Sequence, residues 1–161
     1  MDRKSAGLLM YRRRDRQVEV LLIHPGGPFW ARKDEGAWCI PKGDFTDEEP
    51  LEAARREFQE ETGFPVTGDF HRLAPIKQAG GKMVYAWAVA GDCDAGMIRS
   101  NTFTMEWPPH SGQQKSYPEA DRAAWFSLPQ ARAKILKSQQ PLLEELERFL
   151  ADQSPAHQEL V

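Results

Sequence analysis

The sequence predicts an α/β fold, a mixed β-sheet with helices packed against it. Three observations carry that expectation: short apolar runs at Ser5–Tyr11 and Val18–His24, a helix-period stripe between Pro50 and Thr62, and further strand-like runs before a second helical stripe near the C-terminus. No internal repeat interrupts this order.

The first two runs, SAGLLMY and VEVLLIH, flank the charged segment RRRDRQ and predict a hairpin. The stretch PGGPFWARKDEG (25–36) is rich in Gly, Pro and charge and predicts a loop; Ala37–Ile40 then reads as a short strand stopped by Pro41. A helix is expected over Pro50–Thr62. Pro50 suits a first helical position, the acids Asp47–Glu49 favour the positive end of the helix dipole, and Gly63 with Pro65 supplies the stop. Leu51, Ala54 and Phe58 form its apolar stripe. Phe70–Pro75, Lys82–Ala90, Thr102–Trp107 and Ala123–Phe126 have strand character, with turns at Gly80-Gly81 and Pro108-Pro109, which brings the total to about six or seven strands. Leu128–Ile135 and Gln140–Ala151 read as helices, the latter with Leu142, Leu143, Leu146 and Leu150 on one side. One domain over residues 1–152 is expected, with a frayed tail over 153–161.

Composition narrows the function classes. A chain of 161 residues holds one sizeable core and is short for two. With 40% hydrophobic and 28% charged residues, neither wholesale disorder nor a membrane protein is indicated. No apolar run approaches the roughly 20 residues of a membrane span, and the N-terminal apolar patch is too short and too charged at its far edge for a signal peptide, so a cytoplasmic location is expected. Cys39 and Cys93 form no C-x-x-C pair, which argues against a disulfide framework or a zinc ribbon. The four histidines show no ligand spacing. A net charge of −3 gives no global attraction to nucleic acid or to an anionic membrane, so neither is an expected partner and any anionic ligand must be met by local charges or a metal; the oligomeric state is left open.

Within RREFQEETG (55–63), Glu57, Glu60 and Glu61 stand at i, i+3 and i+4, which places three carboxylates on one helical face. Two things relieve their repulsion: water, if this is a solvated face, or a hard divalent cation held by oxygen ligands. Residue type alone leaves both open.

The surrounding text, PKGDFTDEEPLEAARREFQEETGF (41–64), resembles the Nudix box, G-x5-E-x7-R-E-U-x-E-E-x-G-U with U a bulky apolar residue. Gly43 fits the first glycine, and Arg56, Glu57, Phe58, Glu60, Glu61, Gly63 and Phe64 fit the second half without a gap. One residue is missing between Gly43 and Arg56. The isolated glutamate of the pattern is therefore Glu48 or Glu49, and Glu48 is preferred because a deletion in the loop costs less than one in the helix, where it would rotate every ligand by about 100°. The segments SAGLLMYRR, WCIPKG and YPEADRAAWFSL resemble a bacterial branch of NTP pyrophosphohydrolases related to diadenosine polyphosphate hydrolases.

The resemblance implies a Nudix-type α/β/α sandwich and a pyrophosphohydrolase. It implies Mg²⁺ or Mn²⁺ on Glu57, Glu60 and Glu61, with the Gly43 carbonyl as a further ligand, and an Arg56 that orients the first glutamate. The general base is Glu57 or a later glutamate, Glu106 or Glu119. Lys42, Lys82 and Lys115 are candidates for outer phosphates, and Trp30, Trp38, Tyr85, Trp87 and Trp107 for base stacking; Lys42, Trp30 and Lys82 are the preferred substrate-binding set. The segment Pro108–Pro118 is either a loop that closes over a polyphosphate or a mobile connector. Dinucleoside polyphosphates lead the expected substrates, then nucleoside triphosphates, with sugar nucleotides or inositol pyrophosphates as the alternative and a non-catalytic nucleotide-binding regulator further off.

Overall fold

The computed structural model describes residues 3–78 and 80–153. The expected tail therefore lies outside the described residues from position 154 on. Among the described residues a seven-stranded mixed sheet forms the centre, with a separate two-stranded hairpin beside it.

Strand β1 (Lys4–Arg14) turns into β2 (Gln17–Pro25) through Asp15 and Arg16, both at positive φ (50° and 67°). A two-residue turn of that hand matches the twist of the strands it joins, so the charged RRRDRQ segment closes a tight hairpin. The pairing runs only from Tyr11 opposite Val20 to Arg14 opposite Gln17. Towards the other end of β1 the two strands part, and β3 (Lys42–Asp44) takes the vacated edge opposite Ser5–Gly7. Gly7 is required there: a Cβ on it would lie 2.6 Å from both the Lys42 Cβ and the Pro41 carbonyl oxygen.

On its other edge β1 pairs in parallel with β6 (Met83–Ala90), which also carries β4 (Phe70–Arg72) and β5 (Ile76–Lys77); β2 pairs with β9 (Ala120–Ser127). The period-2 alternation of β1 separates two cores. Ala6, Leu8 and Met10 pack with Ala53, Ala54 and Phe58 of helix α1 (Pro50–Thr62), whereas Leu9 faces Ala131 of α2 (Leu128–Lys134) and Leu142, Leu143, Leu146 and Leu150 of α3 (Gln140–Asp152). Helices therefore cover both faces of the sheet, the α/β/α sandwich the sequence led us to expect. No helix among the described residues is long and apolar enough to cross a membrane.

Three expectations need correction. Ala37–Ile40 is not a strand: it makes single bridges, Cys39 to Ile23 and Trp38 to Ile135, and the buried Gln139 side chain accepts a hydrogen bond from Ile40 N. The strand comes later, as β3, because the open edge of β1 recruits a segment with no apolar pattern. Pro108–Pro118 is not a loop throughout: Gln114–Pro118 forms β8, which pairs with β7 (Thr102–Glu106) as a hairpin. Strands in the described residues number nine rather than six or seven.

The fully buried Leu146 tests the layer beneath the sheet. Leu146→Ala is expected to cost about 2–5 kcal/mol of unfolding free energy, read as a lower urea midpoint at an unchanged slope, while Glu144→Ala on the exposed side of the same helix stays within about 0.5 kcal/mol.

Candidate active site

Helix α1 starts and stops where its sequence signals lie. Pro50 opens it, the Glu49 side chain accepts from Leu51 N and Glu52 N as the N-cap, and Gly63 ends it at φ 83°. Its buried stripe of Ala53, Ala54, Phe58 and Thr62 seats it on the sheet. That orientation carries Glu57, Glu60 and Glu61 to the fork between β1 and β2.

Arg56 organises the cluster. Its Nη1 donates to Glu57 Oε1 at 2.8 Å and to both oxygens of Glu60 at 3.1 and 3.0 Å, while its Nε donates to Glu48 at 2.8 Å. One guanidinium thus holds three carboxylates, a fork geometry that a lysine cannot offer. The two candidates for the upstream glutamate have different places: Glu48 lies on Arg56, and Glu49 caps the helix. The hydrogen bond from Arg56 draws the Glu48 carboxyl below its ordinary range, and the same bond is the leading cause of the raised guanidinium pKa.

Glu57 meets the main chain of β3 at Gly43. A Cβ at position 43 would fall 1.9 Å from Glu57 Oε2, so any other residue would push this carboxylate away. Glu61 accepts from Lys42 N at 3.1 Å. Burial raises the Glu57 carboxyl, an effect that Arg56 partly offsets. Burial also pushes Glu61 up to about 8, against the backbone hydrogen bond and the charge of Lys42, with Glu57 and Glu119 adding to the rise.

These carboxylates line a cavity of about 630 Å³ with Gly43, Lys42, Lys82, Trp30 and Glu119. Glu119 arrives from the junction of β8 and β9, where Asn101 accepts its backbone N–H and Gly26 donates to its carbonyl; Asn101 N in turn donates to Glu60 O of α1. Burial alone raises the Glu119 carboxyl. Glu106 stands elsewhere: its carboxylate accepts from His110 N and Gly112 N and closes the β7–β8 turn. Lys82 reaches the cavity but is paired with Asp44 at 2.6 Å, and Asp44 also accepts from Ser5 Oγ. Trp38 and Trp87 are core, Tyr85 packs against the α1 core, and Lys115 is exposed on β8.

Several lining residues had no role in the sequence analysis, the polar Asp44, Gln78 and Asn101 among them. Asp44 follows Gly43 directly, so adjacency was an available signal; Gln78 and Asn101 carry no local signal and are brought in by the sheet and the β7 connection.

The donor set suits a hard divalent ion, since every candidate donor is a carboxylate or carbonyl oxygen and burial penalises the Glu61 charge unless a cation offsets it. Among the described residues no three acidic, His or Cys groups already converge as a closed metal site. Arg56 draws Glu57 and Glu60 to itself while Glu61 turns to Lys42, so convergence on one ion requires side-chain rotation.

A fold of this kind, with an Arg-Glu-x-x-Glu-Glu helix set against a glycine turn, defines a class. The chain belongs to the Nudix family: the NUDIX domain model matches residues 1–146. The C. elegans Ap4A hydrolase in a binary complex has a similar fold, with TM-score 0.65 and 24% identity over 92% of this chain and 98% of that one. So does the NUDIX domain of Shewanella oneidensis NrtR complexed with ADP ribose, with TM-score 0.66 and 16% identity over 93% and 89% of the two chains. An RNA pyrophosphohydrolase of Stenotrophomonas maltophilia is 50% identical over 46 residues, 27% of this chain; the match spans 22% of that relative's length.

The Glu61 carboxyl makes the cluster sensitive to pH. Below its ordinary value of 4.5 both the folded and the unfolded chain hold the proton and it costs nothing; between 4.5 and about 8 only the folded chain keeps it, so stability falls as pH rises, at about 1.4 kcal/mol per pH unit before solvent screening. In EDTA, Glu61→Gln is expected to melt several degrees above the parent at pH 9 and close to it at pH 4. Equal melting at pH 9 would show that the buried charge is already compensated.

Proposed function

We propose that this chain is a metal-dependent pyrophosphohydrolase that cleaves the phosphoanhydride of a nucleoside diphosphate linked to another moiety. The observation that carries the reading is the single cavity in which Glu57, Glu60, Glu61 and Glu119 meet beside Lys42 and Lys82. Dinucleoside polyphosphates and nucleoside triphosphates are the favoured substrates. The likeness to a domain complexed with ADP ribose favours a sugar-linked nucleoside diphosphate as the second reading.

Glu57, Glu60 and Glu61 would hold the ion, with the Gly43 carbonyl beside them. When bound, Mg²⁺ or Mn²⁺ neutralises phosphate charge and makes a coordinated water more acidic. The chain's own groups supply the rest. Arg56 fixes the first glutamate, Gly43 leaves room for it, and Lys42 at the cavity wall meets an outer phosphate. Water attacks a phosphorus, its proton passes to a carboxylate, the P–O bond of the bridge breaks, and the bridging oxygen leaves on the other phosphate. Glu119 is the favoured proton acceptor, because burial raises it towards the working pH without an opposing cation, and a base of raised pKa takes a proton more readily. Glu57 is the alternative, and Glu106 is occupied by its turn.

A panel of dinucleoside polyphosphates, nucleoside triphosphates and ADP ribose, assayed with and without Mg²⁺ and followed by phosphorus NMR, is expected to show metal-dependent cleavage. If no diphosphate compound is cleaved while nucleotides bind, the enzyme reading fails. At alkaline pH, Glu119→Gln is expected to lose about 10²- to 10⁴-fold in kcat and Glu106→Gln little; near-normal turnover in both would assign the base to Glu57.

A further inference from the structure

The cavity of carboxylates does not end at Trp30. A second, smaller one of about 300 Å³ adjoins it and shares Pro25, Trp30 and Glu119 as a common border. Its walls are different in chemistry: Phe29, Phe103 and Met105 face the glycine pair of the loop after β2.

Nothing in the packing of the chain accounts for Phe29. It is 62% exposed, yet it is not loose. Its ring meets Trp30 edge-on with centroids 5.2 Å apart, and Lys33 Nζ lies 3.8 Å from its centroid. The opposite wall is drawn close by two glycines. A Cβ on Gly26 would lie 1.9 Å from the Pro118 carbonyl oxygen, and one on Gly27, at φ 98°, would lie 3.1 Å from Phe103 Cζ. The loop is thereby held tight to the β7–β8 hairpin, and Phe103, itself against Tyr117, is held at the slot. Three aromatic residues, Phe29 and Trp30 from the loop after β2 and Phe103 from β7, border one small apolar space next to the carboxylate cavity.

We infer that this slot seats the planar base of the nucleotide, stacked on Phe29 and Phe103, while the phosphates lie among the carboxylates. The inference rests on the nucleotide reading above and adds the base as a point of recognition. Size and chemistry exclude the other occupants: 300 Å³ lies at the lower end of ligand pockets and is too small for a protein segment. A sugar gains little from aromatic walls with no polar side chain beyond Glu119. Every nucleobase has a π-face, so the slot would favour a base over none without strong choice among bases. The β7–β8 hairpin is then a wall of the substrate site.

Calorimetric titration of the full chain in Mg²⁺ with the four common nucleoside 5′-monophosphates and with ribose 5-phosphate separates base recognition from phosphate recognition. At least one nucleotide is expected to bind roughly tenfold or more tightly than ribose 5-phosphate. Phe29→Ala and Phe103→Leu should each reduce that preference and leave ribose 5-phosphate binding unchanged. Phe29 is exposed, so its variant keeps the fold testable if the other does not. Equal binding of nucleotides and ribose 5-phosphate, or a preference that survives both substitutions, overturns the inference. A base preference without cleavage of any diphosphate compound would sink the hydrolase reading and leave the slot standing; cleavage without base preference does the reverse.

Discussion

The guanidinium of Arg56 is the interaction on which the site depends. Three glutamates within a turn and a half of helix repel one another, and the cluster persists because Arg56 sits among them and bonds Glu57 and Glu60 directly. It does a second task through Glu48, which belongs to the turn ahead of α1, so that turn and helix are tied by the same charge. The spacing of the motif follows from this. Glu48 must reach across the first two turns of the helix to meet Arg56, and Glu49, one residue on, is left free to cap the helix N-terminus.

The sheet supplies what the helix cannot. Because β1 and β2 pair only near their turn, the far half of β1 has an open edge, which takes up β3 and brings Gly43 against Glu57. The fork is kept apart from below by the segment 37–41, which is bonded to Ile23, to the end of α2 and to Gln139. Glu119 enters the same space because β9 runs beside β2. Buried His24 ties the loop after β2 to β9, its Nδ1 on Asp121 and its Nε2 on the Lys33 carbonyl. Backbone pairing therefore places the carboxylates that come from distant parts of the sequence.

This division explains what could be read from the sequence. Helix α1 was legible to the residue because Pro50, Gly63 and the apolar stripe are local signals with one physical meaning each. The hairpin of β1 and β2 and the leucine stripe of α3 were legible for the same reason. The strands β3 (KGD) and β8 (QKSYP) were not, since neither carries an alternating apolar pattern: the first forms to satisfy an edge, the second in an exposed hairpin. Glu106 and Glu119 looked alike as isolated glutamates near turns. Only the fold separates them, one carboxylate taken up by backbone N–H groups at His110 and Gly112, the other left in the cavity.

The charge of that cavity constrains how any phosphate compound can enter it. Glu57, Glu60, Glu61, Glu119 and Asp44 line it against Lys42 and Lys82, and Lys82 is already paired with Asp44. Arg56 offsets part of the remainder, yet the carboxylates still outnumber their cationic partners; burial raises the Glu57, Glu61 and Glu119 carboxyls, and neighbouring glutamates add to the rise at Glu57 and Glu61. An anionic substrate entering such a space alone would add to the excess. A cation and a phosphate bound there together would for that reason be thermodynamically coupled, each improving the site for the other, and by linkage the coupling would be reciprocal. Selectivity among phosphate compounds has to come from a part of the molecule whose binding does not depend on charge. The apolar slot beyond Trp30 is where the chain offers such a contact.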